Sequence, residues 1–489
     1  MSLHYQTTTS SKHLTQHPPQ ITTPHHSFVT SALFDTTYTQ QLTQPVSDMV
    51  CLTRYLLGAA GLALAAAQNS TAPPPGDGPR NPMLQLSADP SFHYEILRTL
   101  SLSVAEGADL GEVLVAAAQV RPSDFESYYA AFADLAERVD AQGKAIDAAK
   151  YPVSARAARL KAASYFRAAD FFLHGDWADP RIDSLWAKQT AAFDDALPLM
   201  DRPGRRTTLD SADGSFKIPA IFYAAAGSGR RPTILMCNGF DGAQEEMFHV
   251  LGKAALDRGY NVITFEGPGQ PTVRREQGVG FIPDWERATS PVVDHALTLE
   301  EVDPEAIGLV GYSLGGYLAS RAAAFEPRIA AVGAIDGIFD FGATFTDQLP
   351  PIAKQWLKAG KRQEFNDLFA QAMGDPSTPT GIRWAVQQGR WSFKAADFFD
   401  FATEVQRYTL EGVADKIKQP LFIGDAELDM FFPGQPKQLA EAATGSSNKV
   451  VHHFKAAEGS GEHCSVGAAV YQNQLLFDWF EDVFQGRKQ

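Results

Sequence analysis

The sequence predicts an α/β fold, a mostly parallel sheet flanked by helices, preceded by a helical module. Three observations carry this. From about Phe92 to Met200 apolar residues recur at three- and four-residue spacing, with almost no strand signal. Beyond Pro203 short runs rich in Val, Ile and Phe alternate with amphipathic segments, the mark of a parallel sheet covered on both faces. From about Phe339 to Lys418 a largely helical stretch interrupts that alternation between two predicted core strands.

Taken in order, Met1 to about Asp48 is rich in Thr, Gln, Ser and His and reads as a disordered extension, its histidines solvated rather than metal-binding. Residues 49–68 place Arg54 ahead of an apolar run from Tyr55 to Ala67 that ends in small residues, the pattern of a secretory signal. The run falls short of the roughly 20 residues that span a bilayer, so no stable membrane span is expected. The expectation is secretion if translation starts at Met49 and a cytoplasmic protein otherwise. Asn69-Ser70-Thr71 is a glycosylation sequon, and Ala72 to Pro82 is a Pro- and Gly-rich linker, so residues 1–90 stand apart from the folded chain.

Residues 91–202 form the helical cap module. Tyr128, Phe132, Leu135 and Val139 lay one apolar stripe along a helix, and Ala155 to Leu173 supplies another helix. Residues 203–487 form the sheet domain, with strands expected at Phe216–Tyr223, Thr233–Asn238, Asn261–Phe265, Ile307–Tyr312, Ala330–Ile335, Leu421–Gly424 and Lys449–Phe454, and with the helical insertion at 339–418.

A formal net charge of −15 repels phosphate backbones, so nucleic acid is not expected as a partner. The 32 Phe residues serve core packing first and would also suit a pocket for an apolar or aromatic small molecule. Cys51, Cys237 and Cys464 have neither disulfide-framework nor zinc spacing, so the pattern implies no metal.

The chemistry concentrates at Gly311-Tyr312-Ser313-Leu314-Gly315, a G-x-S-x-G between a predicted strand and an Ala-rich helix. A nucleophilic serine needs a tight strand-to-helix turn that lifts its hydroxyl above the sheet edge, and the flanking glycines leave room for it. This is the arrangement of the α/β-hydrolase fold, in which a helical insertion such as 339–418 commonly forms a lid. The Leu314 amide, at the helix N-terminus, is placed to donate to an oxyanion, and the Phe240 amide in the turn Asn238-Gly239-Phe240-Asp241 is the second donor expected. Asp241 beside it is a candidate substrate contact.

The chain order Ser, acid, His then selects Asp429 in DAELDMFFPGQP and His463 in EGSGEHC. Asp425 and Glu427 read as turn residues or local hydrogen-bonding partners, and His452 and His453 lie inside a strand. Such a set needs no cofactor. The segment EGPGQP at Glu266 to Pro271 fits no phosphate-binding loop and is expected to shape the pocket rim.

The motifs NGFDGAQEE, FEGPGQ, GYSLGG, DAELDMFFPGQP and EGSGEHC, in this order, resemble the 2,6-dihydroxypseudooxynicotine hydrolase group, which includes fungal polyketide-pathway hydrolases. The resemblance runs from about Phe92 to Phe484. It implies hydrolysis of a C–C bond next to a ketone, or of an ester, in an aromatic or polyketide-like secondary-metabolite substrate, with Ser313, Asp429 and His463 in the matching positions. It also implies an acidic substrate contact downstream of the nucleophile, where Asp347 falls, and a homodimer by analogy. Pro271 departs from the pattern, which usually has glycine after GPGQ. A carboxylesterase or thioesterase would carry an identical triad, and a non-hydrolytic cyclase or binding protein could share the fold.

Overall fold

The computed structural model describes residues 81–487. The extension, the signal-like segment 49–68, Cys51 and the Asn69 sequon lie outside the described residues.

Five helices come first: α1 (Pro90–Ser101), α2 (Leu110–Ala117), α3 (Phe125–Ala145), α4 (Pro152–Asp170) and α5 (Pro180–Ala196). Their starts are written in the sequence. Asp89, Asp109, Asp124 and Asp179 each accept a backbone N–H of the first turn, and Pro begins α1, α4 and α5. The stripe Tyr128, Phe132, Leu135 and Val139 is buried to within 1% along α3, so the spacing that predicts the helix also names its packed face.

Eight strands follow: β1 (Arg205–Asp210), β2 (Lys217–Tyr223), β3 (Arg231–Cys237), β4 (Asn261–Phe265), β5 (Val302–Tyr312), β6 (Ala331–Ile335), β7 (Leu421–Ala426) and β8 (Lys449–Phe454). They form one sheet in the order β1-β2-β4-β3-β5-β6-β7-β8. β1 and β2 are antiparallel to their neighbours, and β3 to β8 run parallel. Seven strands stand where apolar runs predict them. β1, RRTTLD, has no fully buried residue and too little apolar content to announce itself.

Along the central strands alternate side chains enter opposite cores. Ile234 and Met236 face the layer that contains α1, α3 and α4, whereas Leu235 and Cys237 face the helix Leu314–Ala323. Between β6 and β7 the chain forms the helices Phe341–Asp347, Pro351–Lys358, Arg362–Gly374, Thr380–Ser392 and Phe398–Glu404, the helical interruption expected there. The result is an α/β-hydrolase fold with an N-terminal helical region.

Candidate active site

The carboxyl ends of the parallel strands, together with the loop 238–241 after β3, assemble the site. β5 ends at Tyr312 and the next helix begins at Leu314, which leaves Ser313 at φ 61° and ψ −128°. Its N–H donates to the Ile335 carbonyl at 3.1 Å, fixing the turn against β6. The hydroxyl is thereby held proud of the sheet.

His463 lies in the short turn His463–Ser465 beyond β8, where Cys464 and Ser465 both adopt positive φ. Two buried tyrosines pin this turn. Tyr94 of α1 donates to the His463 carbonyl at 3.2 Å, and Tyr312 donates to the Cys464 carbonyl at 2.8 Å. The imidazole consequently stands with Nε2 2.9 Å from Ser313 Oγ.

On the other side of the ring, Asp429 Oδ2 is 3.1 Å from Nδ1. Asp429 is aimed by its own loop, its Oδ1 accepting from the Phe431 and Phe432 amides at 2.8 and 3.1 Å. Asp425 instead contacts His453 Nδ1 at 2.5 Å, and Glu427 accepts from the Ala456 amide at 2.7 Å. Burial works against an imidazolium at His463, but the nearby negative charges, Asp429 foremost, outweigh it and hold the pKa well above its ordinary value.

Around this group the Gly239 backbone passes the start of the nucleophile helix so closely that a Cβ there would sit 2.7 Å from the Leu314 nitrogen. The Leu314 amide is one of the N–H groups that a helix leaves without an internal acceptor. Gln270 of EGPGQP is fully buried, and its amide donates to the Asn238 carbonyl at 2.5 Å and the Gly239 carbonyl at 3.4 Å. The motif thus braces the loop 238–241, and Pro271 simply opens the helix Pro271–Gln277.

Aromatic side chains pack around His463. Phe431 meets His463 edge-on at 4.8 Å, and Trp384 stacks on Phe171 at 4.9 Å while lying 5.9 Å from Phe240 and 6.1 Å from Phe431.

The two candidate substrate contacts, Asp347 and Asp241, each face a basic side chain of the protein. Asp347 ends the helix Phe341–Asp347 with its side chain 82% exposed and faces Lys354, so it is not among the residues gathered at Ser313. Asp241 is already engaged by Arg98 at 2.7 Å and Arg167 at 3.0 Å, a structural ion cluster rather than a free contact.

The carboxylate that does enter the site is Asp336, directly after β6, with its Oδ2 2.9 Å from His463 Nδ1. Sequence reasoning passed over it. No motif marks AIDGIFD, although an acid at the end of a core strand next to the nucleophile strand was a usable signal.

Comparison with known proteins now bears on this arrangement. Residues 234–468 match the model of the alpha/beta hydrolase family. Hydrolase LUC6 of a Fusarium species is 31% identical over 422 residues, which cover 83% of this chain and 99% of that protein. The chain belongs to the alpha/beta hydrolase family. This alpha/beta hydrolase is also 31% identical to the 20-hydroxy-prefusarin hydrolase FUS2 of Gibberella moniliformis over 416 residues, covering 82% of this chain and 98% of that one. Among solved structures, 2,6-dihydroxy-pseudo-oxynicotine hydrolase matches with a TM-score of 0.61 at 23% identity, over 78% of this chain and 95% of that one, a likeness of fold. The chain is accordingly a hydrolase. Among the described residues no helix is long and apolar enough to cross a membrane.

Proposed function

We propose that this alpha/beta hydrolase is a serine hydrolase that cleaves a C–C bond next to a ketone, or an ester, in an aromatic or polyketide-like secondary metabolite. The observation that carries the reading is the 2.9 Å contact between Ser313 Oγ and His463 Nε2, with a carboxylate behind Nδ1. His463 takes the Ser313 proton as Oγ adds to the substrate carbonyl, and the amides of Leu314 and Phe240 receive the developing oxyanion. Collapse of the tetrahedral adduct expels an enolate carbon, or an alkoxide, which His463 protonates. Water, activated by the same imidazole, then hydrolyses the acyl-serine to a carboxylic acid. Throughout, Asp429 holds the tautomer.

The aromatic side chains of Phe171, Phe240, Trp384 and Phe431 support a planar, apolar substrate. The fungal relative named as a 20-hydroxy-prefusarin hydrolase supports a secondary metabolite.

The test has two parts. A fluorophosphonate should label the wild type and not Ser313→Ala, and Ser313→Ala should lose roughly four to six powers of ten in turnover. A panel of aryl β-diketones and simple acyl esters, read by mass spectrometry, should give an acid and a ketone from the diketones. Cleavage of esters alone would reassign the protein as an esterase, and an unlabelled wild type would remove the serine mechanism.

A further inference from the structure

One imidazole nitrogen in this site faces two carboxylates. Asp336 Oδ2 lies 2.9 Å and Asp429 Oδ2 3.1 Å from His463 Nδ1, and the three come from different places: the end of β6, the loop after β7 and the turn after β8. A neutral ring offers one Nδ1–H and needs one acceptor. The second acid is therefore surplus to an ordinary triad.

Asp336 is nonetheless held as deliberately as Asp429. It sits at φ 58°, a left-handed conformation that Asp tolerates better than most residues, with its side chain 2% exposed. Its Oδ2 accepts the Cys464 amide at 2.6 Å, tying the carboxylate to the residue after His463. We propose that Asp336 is a second positioning carboxylate, sharing with Asp429 the task of holding the His463 tautomer, so that either acid alone sustains turnover.

Two buried carboxylates on one nitrogen cannot both ionise freely. Burial pushes Asp336 up, the His463 charge opposes this, and Asp429 adds to the upward push. Asp336 accepts one backbone amide and Asp429 accepts two, so each acid is anchored independently of the other. With Asp429 removed, Asp336 still faces Nδ1 at 2.9 Å and is placed to accept from it.

Asp336, His463 and Cys464 also bring their donor atoms within 4.8 Å of one another, the spacing of a metal site. The chemistry favours a hydrogen-bonded relay. Both ring nitrogens are engaged, and burial drives the Cys464 thiol far above its usual range, away from the thiolate that a metal binds.

The inference rests on the serine-hydrolase reading, and the experiment separates the two. Asp336→Ala, Asp429→Ala and the double variant of the full chain are assayed for fluorophosphonate labelling rate and for hydrolysis of an activated aryl ester across pH. Circular-dichroism melts accompany them, and Asn versions replace any Ala variant that fails to fold. Each single variant should lose about tenfold and the double about 10⁴-fold, well beyond the product of the singles. Each single should also move the acid limb of kcat/KM to lower pH, because the imidazolium loses one of its two carboxylate neighbours. The other titratable groups facing the ring, Tyr94 from α1, Tyr312 from β5 and Glu462 and Cys464 from its own loop, stay in place.

A 10⁴-fold loss in Asp429→Ala alone, with rate and acid limb unmoved in Asp336→Ala, would reduce Asp336 to a cap on the Cys464 amide. A lower melting temperature without a shifted limb would overturn the proposal equally. Labelling of Ser313→Ala at the wild-type rate would sink the serine mechanism, whatever the aspartates do.

Discussion

Ser313 holds a backbone conformation that costs a non-glycine residue on the order of 1–3 kcal/mol, and its surroundings supply that energy. The glycines of the motif do this by absence. A Cβ on Gly311 would collide with the Gly315 carbonyl, so strand and helix can fold back on each other only with a bare Cα there. Gly239 makes a second such approach from outside the motif. A Cβ there would lie 2.7 Å from the Leu314 nitrogen and the Tyr312 oxygen and 2.9 Å from Ser313 Cβ. Gly239→Ala should therefore displace the loop 238–241 and, on the proposed oxyanion role of the Phe240 amide, cut turnover at least about 10²-fold, the loss expected when one such donor moves out of place. Labelling rate and a melt, measured together, would check that the chemistry falls further than the fold. At this scale Ser313 and His463 were legible because a strained turn and a Gly-rich loop need rare residues at fixed spacing. Asp336 was not, since a carboxylate earns its place there only through a partner 127 positions away in the chain, and an isolated Asp after a strand looks like any turn residue.

Elements meet the site through their ends and through single large side chains. The helix Thr380–Ser392 is the clearest case: Trp384 reaches Phe171 after α4, Phe240 after β3 and Phe431 after β7, joining four separate pieces of chain. From the same helix Gln388 and Ser392 donate to the Phe240 carbonyl, each at 3.4 Å. Trp384→Ala would leave a cavity among these rings and cost about 3–5 kcal/mol. Because the lost ring also packs on Phe431 beside His463, KM for a planar aromatic substrate should rise several-fold while that for a small acyl ester changes little. Equal effects on both substrates would show that Trp384 only supports the fold. The sequence displays the period of such helices but not which residue on them touches a distant loop. It likewise shows β5 only from Ile307, because the polar start of that strand, Val302 to Glu305, carries no apolar run.

Across the molecule, the helical layer and the sheet are joined by buried charge. Arg98 of α1 forms a two-pronged pair with Glu246, at 2.7 Å on each prong, and reaches Asp241 at 2.7 Å; Arg167 of α4 contacts Asp241 at 3.0 Å and Glu95 at 3.3 Å. Composition foretold none of this, because a charged residue in a helix is ordinarily read as solvated. Removing one partner strands the other, so Arg167→Met should destabilise by about 3–5 kcal/mol. The cluster also sets a pH limit. Burial opposes the charge on Glu246, but Arg167 and Arg98 outweigh it and hold its pKa down at about 2. A folded-state pKa below the unfolded value of about 4.3 means that the unfolded chain binds the extra proton, so this stabilisation is complete above about pH 4.3 and disappears as pH falls toward 2. At 1.36 kcal/mol per unit the loss is about 3 kcal/mol. Glu95, lifted by burial, acts in the opposite sense, being easier to keep folded when protonated, and so blunts the acid slope. The wild type should therefore lose melting temperature between pH 5 and 3. Glu246→Gln should start lower at pH 7 and descend less over the same interval, and a parallel descent in the two proteins would place the acid-sensitive contact elsewhere.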